Sequence, residues 1–261
     1  MSKSTKKTGS SNLAAIILAA GKGKRMRSSL PKVLHRLAGK PLVRWVVDAA
    51  EAAGIRKIVV VIGFKGHLVK KALKGYSAER PERSRGVDFV WQKAQLGTGH
   101  AVRMAYPKLK KFRGTLLVLS GDVPAIKPKT IQKLANFHRH QKAYATVLTA
   151  RWPDPTGYGR IVRGKKGEVL RIVEHKDATP EELKIREVNT LTIAFQVPPL
   201  FQLLSQVKNQ NVQGEYYLSD VIALLRKKNK NVSTLLLKDL IEAQGVNSRE
   251  ELECLRKVFE K

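Results

Sequence analysis

The sequence predicts an α/β fold, a doubly wound, Rossmann-like, mostly parallel sheet with an antiparallel portion added toward the C-terminus. Three observations predict it. Five strand-length runs dense in Val, Ile, Leu and Thr punctuate the first 150 residues (13–18, 57–62, 87–91, 115–119 and 145–149). Amphipathic stretches separate them, and parallel neighbours need such crossovers of a dozen or more residues. Beyond about Arg151 the pattern changes to Gly-punctuated alternation, which reads as antiparallel strands.

Taken in order, the five runs read as buried strands. Between the first two, Pro41 sits at a natural first helical position, Leu42, Trp45, Val46 and Ala49 share one face, and Gly54 stops the turn. Residues 99–106 and 128–140 read as helices by the same pattern. After Arg151, residues 158–162, 168–173 and 187–197 read as the added strands. Helical periodicity returns at 200–207 and 216–225, and a strand (232–237) and a charged helix (248–259) follow. With no repeat or low-complexity linker, the expectation is one domain over residues 13–261, preceded by a disordered basic tail, residues 1–12.

Composition narrows the class. With 43% hydrophobic residues in 261, the chain has material for a sizeable core, which excludes wholesale disorder and collagen-like repeats. The single cysteine, Cys254, excludes an intramolecular disulfide and a cysteine-rich zinc module; it fits a reducing, cytoplasmic setting and reads as a small core residue. Lys and Arg number 50 against 21 Asp and Glu, and the resulting +29 draws polyanions. The apolar run at 13–20 is far shorter than a membrane span. It follows a Lys- and Ser-rich head as a secretory signal would, but Lys22, Lys24, Arg25 and Arg27 come directly after it, and a buried strand explains it equally well.

Ligands of open parallel sheets bind outside the carboxyl ends of the strands. The first strand runs into Ala19-Ala20-Gly21-Lys22-Gly23-Lys24-Arg25-Met26, where two glycines open the backbone N–H groups to phosphate oxygens and cations supply charge. Met26 stands where both G-x-G-x-x-G and G-x-x-x-x-G-K-[ST] require glycine, so neither common phosphate loop is present. A plain Gly-rich turn with solvated lysines is the competing reading. Lys32 could reach the same anion. The run at 115–119 ends in Ser120-Gly121-Asp122-Val123-Pro124, placing a carboxylate where Mg²⁺ commonly bridges nucleotide phosphates, although Asp between Gly and Pro is also ordinary turn chemistry. Residues 92–99, Gln-Lys-Ala-Gln-Leu-Gly-Thr-Gly, combine amides able to pair with a base edge and a turn that opens a helix. The six histidines show no H-E-x-x-H or His/Cys spacing, and there is no G-x-S-x-G, so neither zinc hydrolysis nor a serine elbow is expected.

These segments, in order, resemble the sugar-1-phosphate nucleotidyltransferases, above all the pyrophosphorylase half of the bacterial bifunctional UDP-N-acetylglucosamine pyrophosphorylases and glucosamine-1-phosphate acetyltransferases. The similarity runs from Ala14 to about Glu260 through LAAGKGKRM (18–26), LPKVLHRLAGKP (30–41), QLGTGHA (95–101), GDVP (121–124), DPTGYGRIV (154–162), VEHKDAT (173–179), VNT (188–190), QGEYYLSD (213–220) and GVNSR (245–249). The resemblance implies uridylyl transfer from UTP to N-acetylglucosamine 1-phosphate with Mg²⁺. It assigns Leu18, Ala20, Gly21, Lys22, Gln92, Gln95, Gly97 and Thr98 to the nucleotide. It assigns Arg25 and Lys32 to the phosphates as catalytic cations, and Asp122 and Asn247 to the metal. The added antiparallel portion would carry the sugar contacts, Gly159, Glu174 and Asn189, with Tyr158 adjacent.

Three positions depart from the family pattern: Lys24 replaces a usual Thr or Ser, Leu191 a usual Gly, and Ser120 an aromatic residue frequent there. Leu191 beside Asn189 keeps open another sugar phosphate, such as glucose 1-phosphate with UTP or dTTP. The hexapeptide repeats of the bifunctional relatives are not found, so acetyl transfer and a trimer built on a β-helix are not expected, and the oligomeric state stays open. The +29 charge also motivates a different class, a nucleic-acid-binding protein; its charge is spread without aromatic interleaving, and no specific nucleic acid or membrane partner is expected.

Overall fold

A computed structural model describes residues 12–78 and 87–259. In chain order its strands and helices are β1 (Leu13–Ala19), β2 (Arg36–Leu37), β3 (Lys40–Pro41), α1 (Leu42–Ala52), β4 (Lys57–Ile62), α2 (Gly66–Ala78), β5 (Val87–Trp91), α3 (Thr98–Met104), α4 (Tyr106–Leu109), β6 (Gly114–Ser120), α5 (Pro128–His140) and β7 (Ala145–Arg151). There follow β8 (Arg160–Arg163), β9 (Val169–Val173), α6 (Pro180–Leu183), β10 (Glu187–Val197), α7 (Pro199–Leu204), α8 (Asp220–Lys227), β11 (Val232–Leu236) and α9 (Arg249–Phe259).

Nine strands form one sheet in the order β11-β7-β10-β6-β1-β4-β5, with β8 paired to β10 and β9 to β8. Strand β1 lies parallel to both β4 and β6, β5 is parallel to β4, and β11 is parallel to β7. Only β10 on this path runs against its neighbours, pairing antiparallel with β6 and β7, and β8 and β9 extend the antiparallel part as a small flap. The fold is therefore the mixed, mostly parallel α/β sheet expected.

Side-chain alternation divides the core into two layers. Ala15, Ile17 and Ala19 of β1 pack with Val43, Val46 and Val47 of α1, Val69 and Leu73 of α2, and Leu134 of α5. Ala14 and Ile16 point to the other face, onto Ala101 and Val102 of α3, Leu203 of α7 and Val221 and Ile222 of α8. Each fully buried Ile, Leu or Val contributes roughly 1.5–3 kcal/mol, so β1 and β4, apolar on both faces, anchor the sheet. A third, smaller cluster joins Met26, Leu37 and Leu42 to Val246, Leu252 and Leu255, and so clamps the glycine loop to α9.

Several expectations need correction. Strand β5 is half-buried, with Trp91 46% exposed, because β5 is the sheet edge and among the described residues no strand pairs beyond it. Cys254 is exposed rather than in the core, since Leu252 and Leu255 take the inward positions of α9. Pro41 precedes α1 because it closes a two-residue hairpin opposite Arg36. The helix expected from residue 216 begins at Asp220; Tyr216 N–H instead donates to Leu96 O and Gly99 N–H to Tyr216 O, which commits that backbone to the loop before α3. Helix α2 is the crossover expected between the second and third runs, whereas the β2–β3 hairpin is an addition that no local signal marked. The basic tail lies outside the described residues except Asn12, whose carbonyl accepts from Thr115 N–H.

Candidate active site

The chain leaves β1 toward β4 and β5 on one side and returns to β6 on the other, so β1 and β6 flank the topological switch point where open sheets bind ligands. Both suspected loops start there. Gly121 N–H donates to Leu18 O at 2.9 Å, which ties the loop after β6 to the end of β1. The loop after β1 is held to those after β4 and β5 by close backbone approach at Gly63, where a Cβ would lie 2.8 Å from Ala20 O and 3.0 Å from Gln92 O. No larger residue fits without moving two loops at once.

Asp122 is buried at the centre. Its Oδ1 accepts from Ser120 Oγ at 2.5 Å, and its Oδ2 pairs with the Lys32 ammonium. Lys32 Nζ also donates to Asn247 Oδ1 at 2.8 Å, joining residues 215 positions apart. Burial alone pushes the Asp122 carboxyl up, but the charge and hydrogen bond of Lys32 and the Ser120 hydroxyl outweigh it and hold it below the ordinary carboxylate range. Asn247 is delivered by two contacts. Val246 N–H donates to Asp122 O at 2.8 Å, and Glu251 Oε2 accepts from Asn247 N–H at 2.5 Å while Ser248 Oγ accepts from Glu251 N–H, a variant of the capping box at the start of α9.

A cleft of about 150 Å³ opens beside this cluster. Arg25, Asp122 and Asn247 line it together with Gly159, Glu174 and Asn189, so six of the suspected residues share one wall-to-wall space. Gly159 O accepts from Asn189 N–H at 2.9 Å, holding β8 against β10. Glu174 accepts from Ser219 Oγ at 2.7 Å. Its carboxyl is pushed up, first by burial and then by the charges of Asp220, Asp177 and Glu215, against the pull of Ser219. A carboxyl so biased repels an incoming anion less. Tyr158 lines the same cleft, stacked on Trp152 with ring centroids 5.5 Å apart.

The suspected nucleotide residues lie on the two loops beyond this cleft. Leu18 is the penultimate residue of β1, Ala20 is buried, and Gly21 and Lys22 are exposed. Gln92 is buried and donates to Gly97 O at 3.0 Å, with His100 Nδ1 at 3.1 Å; Gln95 donates to Gln92 O at 3.3 Å. Thr98 Oγ1 accepts from Leu218 N–H, and Gly97, at φ +99°, passes against Tyr216 O. In this state the amide of Gln92 therefore braces the loop that carries it. Arg25 is exposed on a short 3₁₀ turn anchored by the fully buried Met26. The side chain of Lys24 lies outside the described atoms.

Sequence reasoning missed Glu251, Ser219 and Arg249, whose Nε donates to Met26 O at 3.3 Å and whose Nη2 donates to Arg27 O. Ser248-x-x-Glu251 is a legible capping signal; nothing local marks the other two. The departure at Leu191 has a backbone counterpart. Leu191 sits at φ +57° in the irregular stretch of β10 between Asn189 and Ile193, donates its N–H to Asn189 Oδ1 at 3.0 Å, and lines the cleft.

Among the described residues no three His, Cys, Asp or Glu side chains gather around one point. The Asp122–Asn247 pair still suits Mg²⁺, because two hard oxygens converge on a single cation, here the Lys32 ammonium, and Mg²⁺ characteristically takes one or two protein oxygens with phosphate and water for the rest. Among the described residues no helix is long and apolar enough to cross a membrane.

Comparison with known proteins identifies the family and the fold. The MobA-like NTP transferase domain matches residues 15–180. "Bifunctional protein GlmU" of Shouchella clausii is 49% identical over 235 residues, covering 90% of this chain and 50% of that protein; its namesake in Halalkalibacterium halodurans is 48% identical over 251 residues, covering 96% and 53%. The chain thus spans about half the length of the curated relatives it matches. Among solved structures, a UDP-glucose pyrophosphorylase complexed with UDP-glucose superposes with a TM-score of 0.74 at 17% identity, over 95% of this chain and 98% of that one, a likeness of fold. With the family match spanning the glycine loop, the Asp122 turn and the β8–β9 flap, the chain belongs to the family of MobA-like NTP transferase domains.

Proposed function

We propose that this chain transfers the uridylyl group of UTP to N-acetylglucosamine 1-phosphate, giving UDP-N-acetylglucosamine and pyrophosphate, with Mg²⁺ as cofactor. The observation that carries the reading is the shared cleft, which sets the Asp122–Lys32–Asn247 cluster at the sheet's switch point directly against Gly159, Glu174 and Asn189. The substrate pair follows from the resemblance of the ordered segments between Leu18 and Arg249 to the sugar-1-phosphate nucleotidyltransferases, and relatives 48–49% identical over most of the chain support it. In this reading the reaction belongs to the cytoplasm.

In this reading a phosphate oxygen of the sugar phosphate attacks the α-phosphorus of UTP as the bond to the β-phosphate oxygen breaks and pyrophosphate leaves. Both reactants are anions, so the site's first task is to neutralise them. Arg25 and Lys32 do this from the glycine loop and the turn that follows, with Lys22 exposed at the loop's rim for the departing pyrophosphate. Asp122 and Asn247 would hold Mg²⁺, which shields the phosphates and stabilises charge on the leaving group. Glu174 and Asn189 orient the sugar, and their fixed hydrogen bonds to Ser219 and Leu191 keep that orientation constant. No general base is required, because a sugar phosphate is already ionised at neutral pH.

The test is pyrophosphate release over a matrix of nucleoside triphosphates and sugar 1-phosphates. The expected maximum is UTP with N-acetylglucosamine 1-phosphate, and Asp122→Ala abolishes it with circular dichroism unchanged. A maximum at glucose 1-phosphate would transfer the assignment to that sugar, a reading that Leu191 in the cleft keeps open; no turnover by folded protein would refute nucleotidyl transfer.

A further inference from the structure

We infer that Lys32 is a built-in occupant of the divalent-cation position: in the nucleotide-free protein its ammonium holds Asp122 Oδ2 and Asn247 Oδ1, so metal binds tightly only when nucleotide phosphates draw Lys32 away. The inference rests on the assignment of Asp122 and Asn247 as metal ligands and adds an order to the binding events. The Ser120 hydroxyl engages Asp122 Oδ1 at 2.5 Å, which leaves Oδ2 as the oxygen facing a cation, and Lys32 Nζ takes that oxygen together with Asn247 Oδ1 at 2.8 Å. The side chains of Lys32 and Asp122 are 17% and 11% exposed, so solvent screens the point poorly, and two cations cannot share it without strong repulsion.

The local architecture suits a side chain that exchanges partners. Val33 and Leu34, which follow Lys32 in its 3₁₀ turn, are buried, so the backbone is fixed and the four-carbon stem alone moves. Gly23, at φ +64°, presses against that stem; a Cβ there would lie 2.5 Å from Lys32 Cβ. A triphosphate seated on the glycine loop therefore arrives beside the lysine that it must attract. Because coupling is reciprocal, nucleotide raises metal affinity and metal raises nucleotide affinity by one factor.

The test is titration of nucleotide-free protein with Mn²⁺, followed by the electron paramagnetic resonance signal of free Mn²⁺. Lys32→Met binds Mn²⁺ about tenfold or more tightly than wild type, the scale expected when a competing positive charge leaves a poorly screened site. Lys32→Arg, which keeps the charge, stays near wild type, and adding Asp122→Ala to Lys32→Met removes the gain. Folding is checked by thermal unfolding, and Lys32→Gln replaces Lys32→Met if the latter does not fold. Equal affinity in wild type and the uncharged variant, lost in both with Asp122→Ala, would overturn the inference and leave the metal assignment standing. Mn²⁺ binding indifferent to Asp122→Ala would overturn both.

Discussion

Leu191 is held at φ +57°, a left-handed conformation that costs a residue with a Cβ about 1–2 kcal/mol, whereas glycine adopts it freely. Two substitutions separate this strain from the side chain's packing. Leu191→Ala removes a partly buried side chain and keeps the strain; losing part of the roughly 1.5–3 kcal/mol that a fully buried leucine contributes leaves it destabilised by about 1–2 kcal/mol. Leu191→Gly loses the same packing but releases the strain, offset by about 0.5–1 kcal/mol of extra chain entropy in the unfolded state. The glycine variant is therefore the more stable of the two by about 0.5–1 kcal/mol, or a few degrees in Tm at about 2–4 °C per kcal/mol for a chain of this size. Both keep the N–H that Asn189 Oδ1 accepts, so the comparison isolates the backbone term. Urea unfolding with parallel m-values is the assay. An alanine variant as stable as the glycine variant would refute the strain argument. The glycine variant also widens the cleft beside Glu174 and Asn189, and is expected to accept sugar 1-phosphates with bulkier 2-acylamino groups than wild type does.

Glu251→Ala removes the carboxylate that fixes Asn247 N–H, so the Mg²⁺ concentration for half-maximal rate rises several-fold while stability falls by about 0.5–2 kcal/mol, the range for losing a helix cap; titrating Mg²⁺ in the pyrophosphate assay and unfolding the variant check the two effects. Arg249→Ala releases the carbonyls of Met26 and Arg27, and is expected to raise the KM for UTP more than it lowers kcat, measured by steady-state kinetics. His138, buried beside Thr146, has its pKa lowered from 6.5 to about 4 by burial and then by Arg139. The folded protein thus binds fewer protons there than the unfolded chain between those values. Stability is full above pH 6.5 and falls as pH drops toward 4, by about 3 kcal/mol at about 1.4 kcal/mol per pH unit; His138→Gln flattens that limb in urea titrations from pH 7 to 4, and an unchanged slope would overturn the assignment.

The order of buried strands, the helices that cross between them and the placing of Gly21-x-Gly23 and Asp122 at strand ends are written in the sequence, because apolar periodicity and turn chemistry act over a few residues. The same short range explains the misplacements. Residues 87–91 carry the composition of an interior strand but become an edge, since which strand lies outermost depends on how all nine pair. Cys254 belongs to a helix whose apolar stripe is narrow, and only its docking on Met26 and Leu37 decides which face turns inward. Leu191 was conspicuous as a departure from the family pattern, yet its positive φ follows from an irregular register between β10 and β7 that no local signal encodes. Convergence of Lys32, Ser120, Asp122 and Asn247 is likewise a product of tertiary structure. The Lys32–Asn247 contact closes a loop of 215 residues, and its cost in chain entropy is met by the buried strands and the Met26–Val246–Leu255 cluster rather than by the contact itself. The sequence alone determined which chemical groups were present and which loops carried them; folding decided that one ammonium sits between a carboxylate and an amide, because charge pairing depends on distances set by the packed sheet and not on spacing along the chain.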